Sequence, residues 1–270
     1  MNFFENAGSG PTGPLSLGKL RQTLIRLEDT IVFALIERAQ FAHNAIIYEP
    51  GKFDFKDFGG SFMEWVLRET EVVHAKVRRF ASPDENPFFD DLPDAILPAL
   101  EYPPVLHPNN INVNPDILRM YTQEIIPAIC RPGDDLQYGS ASTRDVECLQ
   151  ALSRRIHCGK FVAEAKFLDP AQHDLYVDAI RRGDAARCEE LLTNKAVEAQ
   201  VVRRMRRKAL IYGQDITIDG EVETKPRPES PTGGQGSRKI DLDVVVNMYE
   251  KFVIPLTVKV EVDYLMRRLT

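Results

Sequence analysis

Two cations frame the run Arg155-Ile-His-Cys-Gly-Lys-Phe-Val-Ala-Glu-Ala-Lys166. If this run is helical, the eleven steps from Arg155 to Lys166 leave the two side chains within roughly 20° of each other, about three turns apart on one face. Between them that face carries Gly159 and Val162, a narrow floor of small and apolar residues. Glu164 falls nearly opposite Arg155 and is badly placed to neutralise it. Two unpaired cations over such a floor suit a compact ligand with two carboxylates. The plainer alternative is a solvated basic face.

Other segments supply polar groups at matching intervals. Asn194 and Glu198 form an i,i+4 pair in Leu192-Thr-Asn-Lys-Ala-Val-Glu198, and Thr257 and Glu261 form another in Ile254-Pro-Leu-Thr-Val-Lys-Val-Glu261, with Val260 and Tyr264 beside them. An early helix contributes Arg21. Each pair alone is ordinary on an exposed helix. Together they would make a polar pocket walled by four helices, a way in which helical bundles build sites.

The elements that must hold these groups read as helices throughout. Leu17, Leu20, Leu24, Leu27 and Ile31 keep a helical period. Ser61 and Glu64 after a glycine pair predict a capping box, with a helix running on to Phe80 and stopped at Ser82-Pro83. Residues 81–115 are rich in proline and predict a long ordered loop or a series of turns. Further helices are expected over about 115–129, through the Arg155 segment, over about 170–183 and 184–192, and on to about Tyr212. Asp241 is placed to cap the last helix. Residues 1–14 read as disordered, and the Gly-, Pro- and Ser-rich stretch of about 213–240 as a flexible insert in a domain spanning 15–270. The expected fold is all-α, a single-domain bundle of about ten to twelve helices without significant β-sheet.

Composition narrows the function. The chain of 270 residues is 43% hydrophobic with a formal net charge of −6, which disfavours nucleic acid as a partner. The one dense basic cluster, Arg203-Arg-Met-Arg-Arg-Lys208, lies in a helical pattern, so acids on neighbouring helices are its expected partners. Cys130, Cys148, Cys158 and Cys188 show no metal-type spacing, and no apolar run is long enough to span a bilayer. The start of the chain lacks a signal-peptide pattern. No metal or cofactor and a cytoplasmic location are expected.

The blocks RLEDTIVFALIERAQF, VRRFASPDENPFF, YGSASTRDVECLQALSRRIHCGKFVAEAKF and VIPLTVKVEVDYLMRRL resemble the fungal-type chorismate mutases, an all-helical, allosteric family. The resemblance implies an intramolecular Claisen rearrangement of chorismate to prephenate, in phenylalanine and tyrosine biosynthesis. It also implies roles. Arg21 and Arg155 would grip the substrate carboxylates, Lys166 would donate to the ether oxygen and reach a carboxylate, and a protonated Glu261 would donate to the same ether oxygen. Glu198 would accept from the ring hydroxyl, and Asn194 and Thr257 would orient the ligand. Family members of this type are homodimers activated by tryptophan and inhibited by tyrosine. The matching effector residues are Arg78, Arg79, Gly139, Ser140 and Thr143. Gln137 and Asp241-Leu242 depart from the family's common asparagine and Thr-Pro. Two alternatives stay open at this point: a catalytically silent helical regulator, and a relative acting on isochorismate.

Overall fold

A computed structural model of the chain describes residues 15–223 and 238–270. The expected disorder of 1–14, and residues 224–237 of the expected insert, lie outside the described residues.

α1 (Leu17–Arg38) buries Leu20, Leu27, Ile31, Val32 and Leu35, the stripe its period requires. α5 (Tyr138–His157) packs along it with Ala141, Val146, Leu149, Leu152 and Ile156 buried. Deep in this contact Arg38 Nε donates to Asp145 Oδ1 at 2.6 Å. The Tyr48 and Tyr121 hydroxyls donate to the same carboxylate at 2.7 and 2.9 Å, and Arg38 Nη1 donates to the Ala42 carbonyl at 3.1 Å. A buried pair so fully bonded is tolerated, whereas removing one partner typically costs about 3–5 kcal/mol.

The remaining helices are α2 (Phe62–Lys76), α3 (Asn114–Met120), α4 (Ile126–Ile129), α6 (Gly159–Phe167), α7 (His173–Arg181), α8 (Ala185–Leu192), α9 (Lys195–Tyr212), α10 (Leu242–Met248) and α11 (Ile254–Leu265). The all-α expectation holds, but several of these segments run on as single rods. α3 continues into α4 through a π turn, Tyr121–Ile125, and α10 into α11 through another, Tyr249–Val253. α5 continues into α6 through Cys158, which keeps a right-handed helical conformation. The eleven segments thus make eight rods among the described residues, fewer than the ten to twelve expected.

Proline explains both π turns. Pro127 and Pro255 lack an N–H, and their rings would strike the carbonyl four residues back in a regular helix. The wider turn relieves this: Ile126 N–H bonds Tyr121 C=O, and Ile254 N–H bonds Tyr249 C=O, each five residues back.

The expected capping box opens α2, with Glu64 N–H donating to Ser61 Oγ at 3.3 Å and Ser61 N–H to Glu64 Oε2 at 2.8 Å. The helix ends earlier than expected. Arg78 turns left-handed at φ 59°, and Arg79–Ala81 form one 3-10 turn. That reversal aims Arg79 back at α5, where Nη1 donates to Gln150 Oε1 at 3.0 Å.

The proline-rich connection that follows is held by side chains, which answer its backbone donors. Glu71 accepts from Phe88 N–H at 2.9 Å and Phe89 N–H at 3.2 Å, and burial pushes its carboxyl up to about 7. His157 Nε2 accepts from Val113 N–H at 3.0 Å. Lys160 Nζ donates to Asn86 Oδ1 at 2.8 Å, and the Tyr264 hydroxyl accepts from His107 N–H at 2.8 Å. Past α9 the described part of the expected insert makes a tight turn with a single bridge between Ile216 and Val222. Asp241 caps α10 as expected, accepting from Asp243 N–H at 2.8 Å.

Candidate active site

α6 meets α11 with almost no side chain between them, because of Gly159. A Cβ there would lie 2.9 Å from the Thr257 carbonyl oxygen and 3.2 Å from Glu261 Cγ. This close approach brings the Arg155–Lys166 face directly onto the Thr257–Glu261 face. Arg155 Nη1 reaches Thr257 Oγ1 at 3.5 Å, and Lys166 Nζ lies 3.7 Å from Glu261 Oε2. The shared face of Arg155 and Lys166 thus runs on through the join at Cys158, which stays right-handed helical.

Alanine at position 159 is expected to destabilise the fold. Helix propensity favours alanine over glycine by up to about 1 kcal/mol. Forcing a methyl group against backbone typically costs about 1–3 kcal/mol, so the net sign is unfavourable. Thermal unfolding should show a lower midpoint for Gly159→Ala; an unchanged or higher one would mean the two helices are free to part.

Glu261 is buried, and burial pushes its carboxyl up to about 7, with Lys166 and Arg155 pulling it back and Glu198 adding to the rise. A carboxyl so placed keeps its proton in a substantial fraction of molecules in neutral solution. Lys166 Nζ donates to the Leu192 carbonyl at 2.6 Å, which ties α6 to the end of α8. Thr257 Oγ1 donates to the Val253 carbonyl at 2.6 Å, leaving the hydroxyl's lone pairs toward Arg155.

Arg155 is 5% exposed, and its Nε has no hydrogen-bond partner among the described residues. None of the ion pairs among the described residues involves it. A guanidinium buried without a carboxylate is expensive unless an anion arrives to answer it. The buried Tyr249 hydroxyl also has no hydrogen-bond partner among the described residues, and Arg155 lies close enough to act on it electrostatically. Nothing in the sequence singled out Tyr249 or the Leu192 carbonyl, since neither belongs to a local pattern.

The other expected residues are placed less closely. Asn194 is the N-cap of α9, accepting from Val197 N–H at 3.1 Å, so it sits outside the helix that carries Glu198. Glu198 pairs with Lys195 at 2.9 Å and is near enough to Glu261 to affect it. Arg21 is exposed on α1, with no hydrogen bond or ion pair among the described residues. Its neighbour Leu20 packs on Phe161 and Ala165 of α6, so α1 borders the site without Arg21 touching it.

The basic cluster meets acids on neighbouring helices, as its helical setting suggested. Arg204 grips Glu28 at 2.5 and 2.6 Å, Lys208 pairs with Asp29 at 2.6 Å, and Arg206 pairs with Asp243 at 2.6 Å.

The five expected effector residues fall into two separate groups. Gly139, Ser140 and Thr143 lie exposed in the first turns of α5, whose N-cap Gln137 makes no capping bond with its side chain. Arg78 donates to the Pro98 carbonyl, while Arg79 bonds Gln150 and lies 3.3 Å from Glu85. Gln150 is eleven residues beyond Gly139, about 16 Å along the helix at ~1.5 Å per residue.

Among the described residues no group of His, Cys, Asp and Glu is arranged to hold a metal ion, and no helix is long and apolar enough to cross a membrane. What the site offers is two held cations, Arg155 and Lys166, beside an acid whose carboxyl burial raises to about 7, an arrangement suited to a small dianion. Residues 137–262 match the family model described as chorismate mutase type II. The chain is 46% identical over 259 residues to the chorismate mutase of Schizosaccharomyces pombe, covering 94% of this chain and 97% of that one. Its fold matches the crystal structure of the chorismate mutase of Candida albicans in complex with L-Trp, with a TM-score of 0.86 and 42% identity over 100% of this chain and 95% of that one. It also matches AtCM1 with tyrosine bound in its allosteric site, with a TM-score of 0.81 and 41% identity over 97% of this chain and 99% of that one. The chain belongs to the chorismate mutase family.

Proposed function

We propose that the pocket between α5, α6, α9 and α11 converts chorismate to prephenate, and that the roles fall to the residues named above. The observation that carries this reading is Arg155, buried without a counter-ion among the described residues and close enough to Glu261 to act on its carboxyl. A substrate carboxylate supplies the missing anion, and arginine's planar fork orients it as lysine would not. Arg21, on the rim, turns in to hold the second carboxylate. Lys166 and protonated Glu261 donate to the ether oxygen as the C–O bond breaks and charge gathers there. Glu198 accepts from the ring hydroxyl; Asn194 and Thr257 keep the ring in register. The rearrangement is intramolecular, so holding the side chain folded over the ring supplies much of the acceleration. The test is a chorismate titration in the presence of a chelator. Turnover to prephenate is expected; dependence on an added divalent ion would overturn the mechanism.

The same reading places a regulatory site between two copies of the chain. The Gly139, Ser140 and Thr143 group and the Arg78 and Arg79 group stand too far apart on one copy to share a small ligand. A two-fold related copy can bring them together. Val73 on α2 and its C-cap Val77, with Ile96, whose N–H donates to the Lys76 carbonyl, and Leu97 and Leu100 after it, expose apolar surface for such a contact. The open N-terminus of α5 suits an amino-acid carboxylate. In this homodimer tyrosine inhibits and tryptophan activates, each away from the catalytic pocket. Arg78→Ala is expected to weaken tyrosine inhibition several-fold more than tryptophan activation, because a phenol hydroxyl bonds at that end. Equal loss of both responses, or inhibition competitive with chorismate, would count against this assignment. The proposed location is the cytoplasm, consistent with four free, buried cysteines.

A further inference from the structure

The Glu164 carboxylate lies outside the pocket, yet it is the most heavily bonded group on the helix that carries Lys166. It is buried, and accepts from the Tyr264 hydroxyl at 2.6 Å, from Arg268 Nε at 2.7 Å and from Arg268 Nη2 at 3.0 Å. Tyr264 belongs to α11, the helix of Thr257 and Glu261, and Arg268 follows just past its end. The Tyr264 hydroxyl also accepts from His107 N–H at 2.8 Å, so it is used in both senses. Arg268 lies over the Phe167 ring at 4.8 Å, which holds the guanidinium in place from its other side.

Glu164 and Lys166 are two residues apart, so they project about 200° apart around α6. Each nevertheless reaches α11, Lys166 to Glu261 and Glu164 to Tyr264. The two side chains therefore straddle α11. Rolling α6 about its own axis to part Lys166 from Glu261 must stretch or compress the three bonds at Glu164. Sliding along the axis is blocked at the other end, where Gly159 rests on the Thr257 backbone.

We propose that Glu164, clamped by Tyr264 and Arg268, is a positioning residue that sets the separation of Lys166 and Glu261. The proposal rests on the mutase reading of the pocket, in which those two groups serve the ether oxygen. It makes a specific kinetic demand. The donors to the ether oxygen act mainly in the transition state, whereas the carboxylate grip by arginine acts on bound substrate too. Loosening the clamp should lower kcat and leave KM nearly unchanged.

The experiment measures chorismate turnover and thermal midpoint in parallel for wild type, Glu164→Gln, Arg268→Met and the double variant. Glutamine keeps an acceptor for Tyr264 but loses the charge that binds Arg268. Each single variant is expected to lower kcat about tenfold or more with KM within about twofold, since small misplacements of reacting groups are costly. The double variant should be little worse than either single, because one clamp has already been opened. If Glu164→Gln fails to fold, Arg268→Met decides alone, as Arg268 is partly exposed and its loss leaves Glu164 in place. A lowered midpoint with wild-type kcat at temperatures where each variant stays folded would overturn the proposal, as would a raised KM at constant kcat. An inactive wild type would overturn the mutase reading itself, which separates the two failures.

Discussion

Replacing Arg155 with alanine is expected to lower kcat/KM for chorismate about a thousandfold, about 4 kcal/mol, while leaving the thermal midpoint unchanged or raised. The two effects have opposite signs for one reason. Among the described residues Arg155 is a buried cation with an unpartnered Nε and one 3.5 Å hydrogen bond, to Thr257, so the fold gains little from its charge. On the proposed reading, bound substrate makes the same charge the partner of a carboxylate in a poorly solvated site, where such pairs are worth most. Alanine removes the gain and the penalty together. Steady-state kinetics and thermal unfolding on one preparation check this. A large fall in midpoint with modest loss of activity would make Arg155 a structural residue. Arg155→Lys should recover little, because a point charge cannot reproduce the planar fork.

Raising the pH through about 7 is expected to reduce the wild-type rate, and Glu261→Gln is expected to flatten that alkaline limb. Burial lifts the Glu261 carboxyl to about 7 from an ordinary value of 4.5, against the pull of Lys166 and Arg155. In the proposed mechanism the protonated carboxyl below that point donates to the ether oxygen, and above it a carboxylate meets developing negative charge. Glutamine donates at every pH, so its profile should stay level where the wild type falls, although its rate at low pH is lower. Stability carries the matching sign. A carboxyl raised in the folded state contributes most below its unfolded value near 4.5, and that contribution is lost as pH rises through about 7. Glu261→Gln should therefore gain stability relative to wild type as pH rises. The pH–rate profile decides: an alkaline limb that persists in the glutamine variant would assign the titration to another group.

Local chemistry was legible wherever it repeats at helical intervals or marks a helix end. The Ser61–Glu64 box, the Asp241 cap and the close of α9 at Tyr212 are each set by residues within a turn of one another. The Thr257–Glu261 face was legible for the same reason, and so was the shared face of Arg155 and Lys166. Asn194 was misread as a helical partner of Glu198 because a capping residue and a first-turn residue have the same spacing and differ only in backbone conformation. The end of α2 was missed because the left-handed turn at Arg78 is held by bonds to distant residues, among them Gln150 on α5 and the Pro98 carbonyl. The π turns were hidden in plain proline, since Pro127 and Pro255 equally suit a helix that begins anew.

From residue types and spacing alone came an all-α chain, a pair of cations on one stripe, and an acid-bearing stripe on the last helix. These depend on the 3.6-residue period, which belongs to the backbone and needs no knowledge of neighbours. Which stripe meets which could be settled only by packing. Gly159 against the Thr257 backbone brings the cations to Glu261, and the dryness of that contact lifts its carboxyl to about 7. Arg38 and Asp145 find each other across 107 residues, and Glu164 finds Arg268 across 104. The unpartnered Nε of Arg155 is of the same kind: whether a partner stands beside it among the described residues depends on every side chain around it, and no window of sequence contains them all.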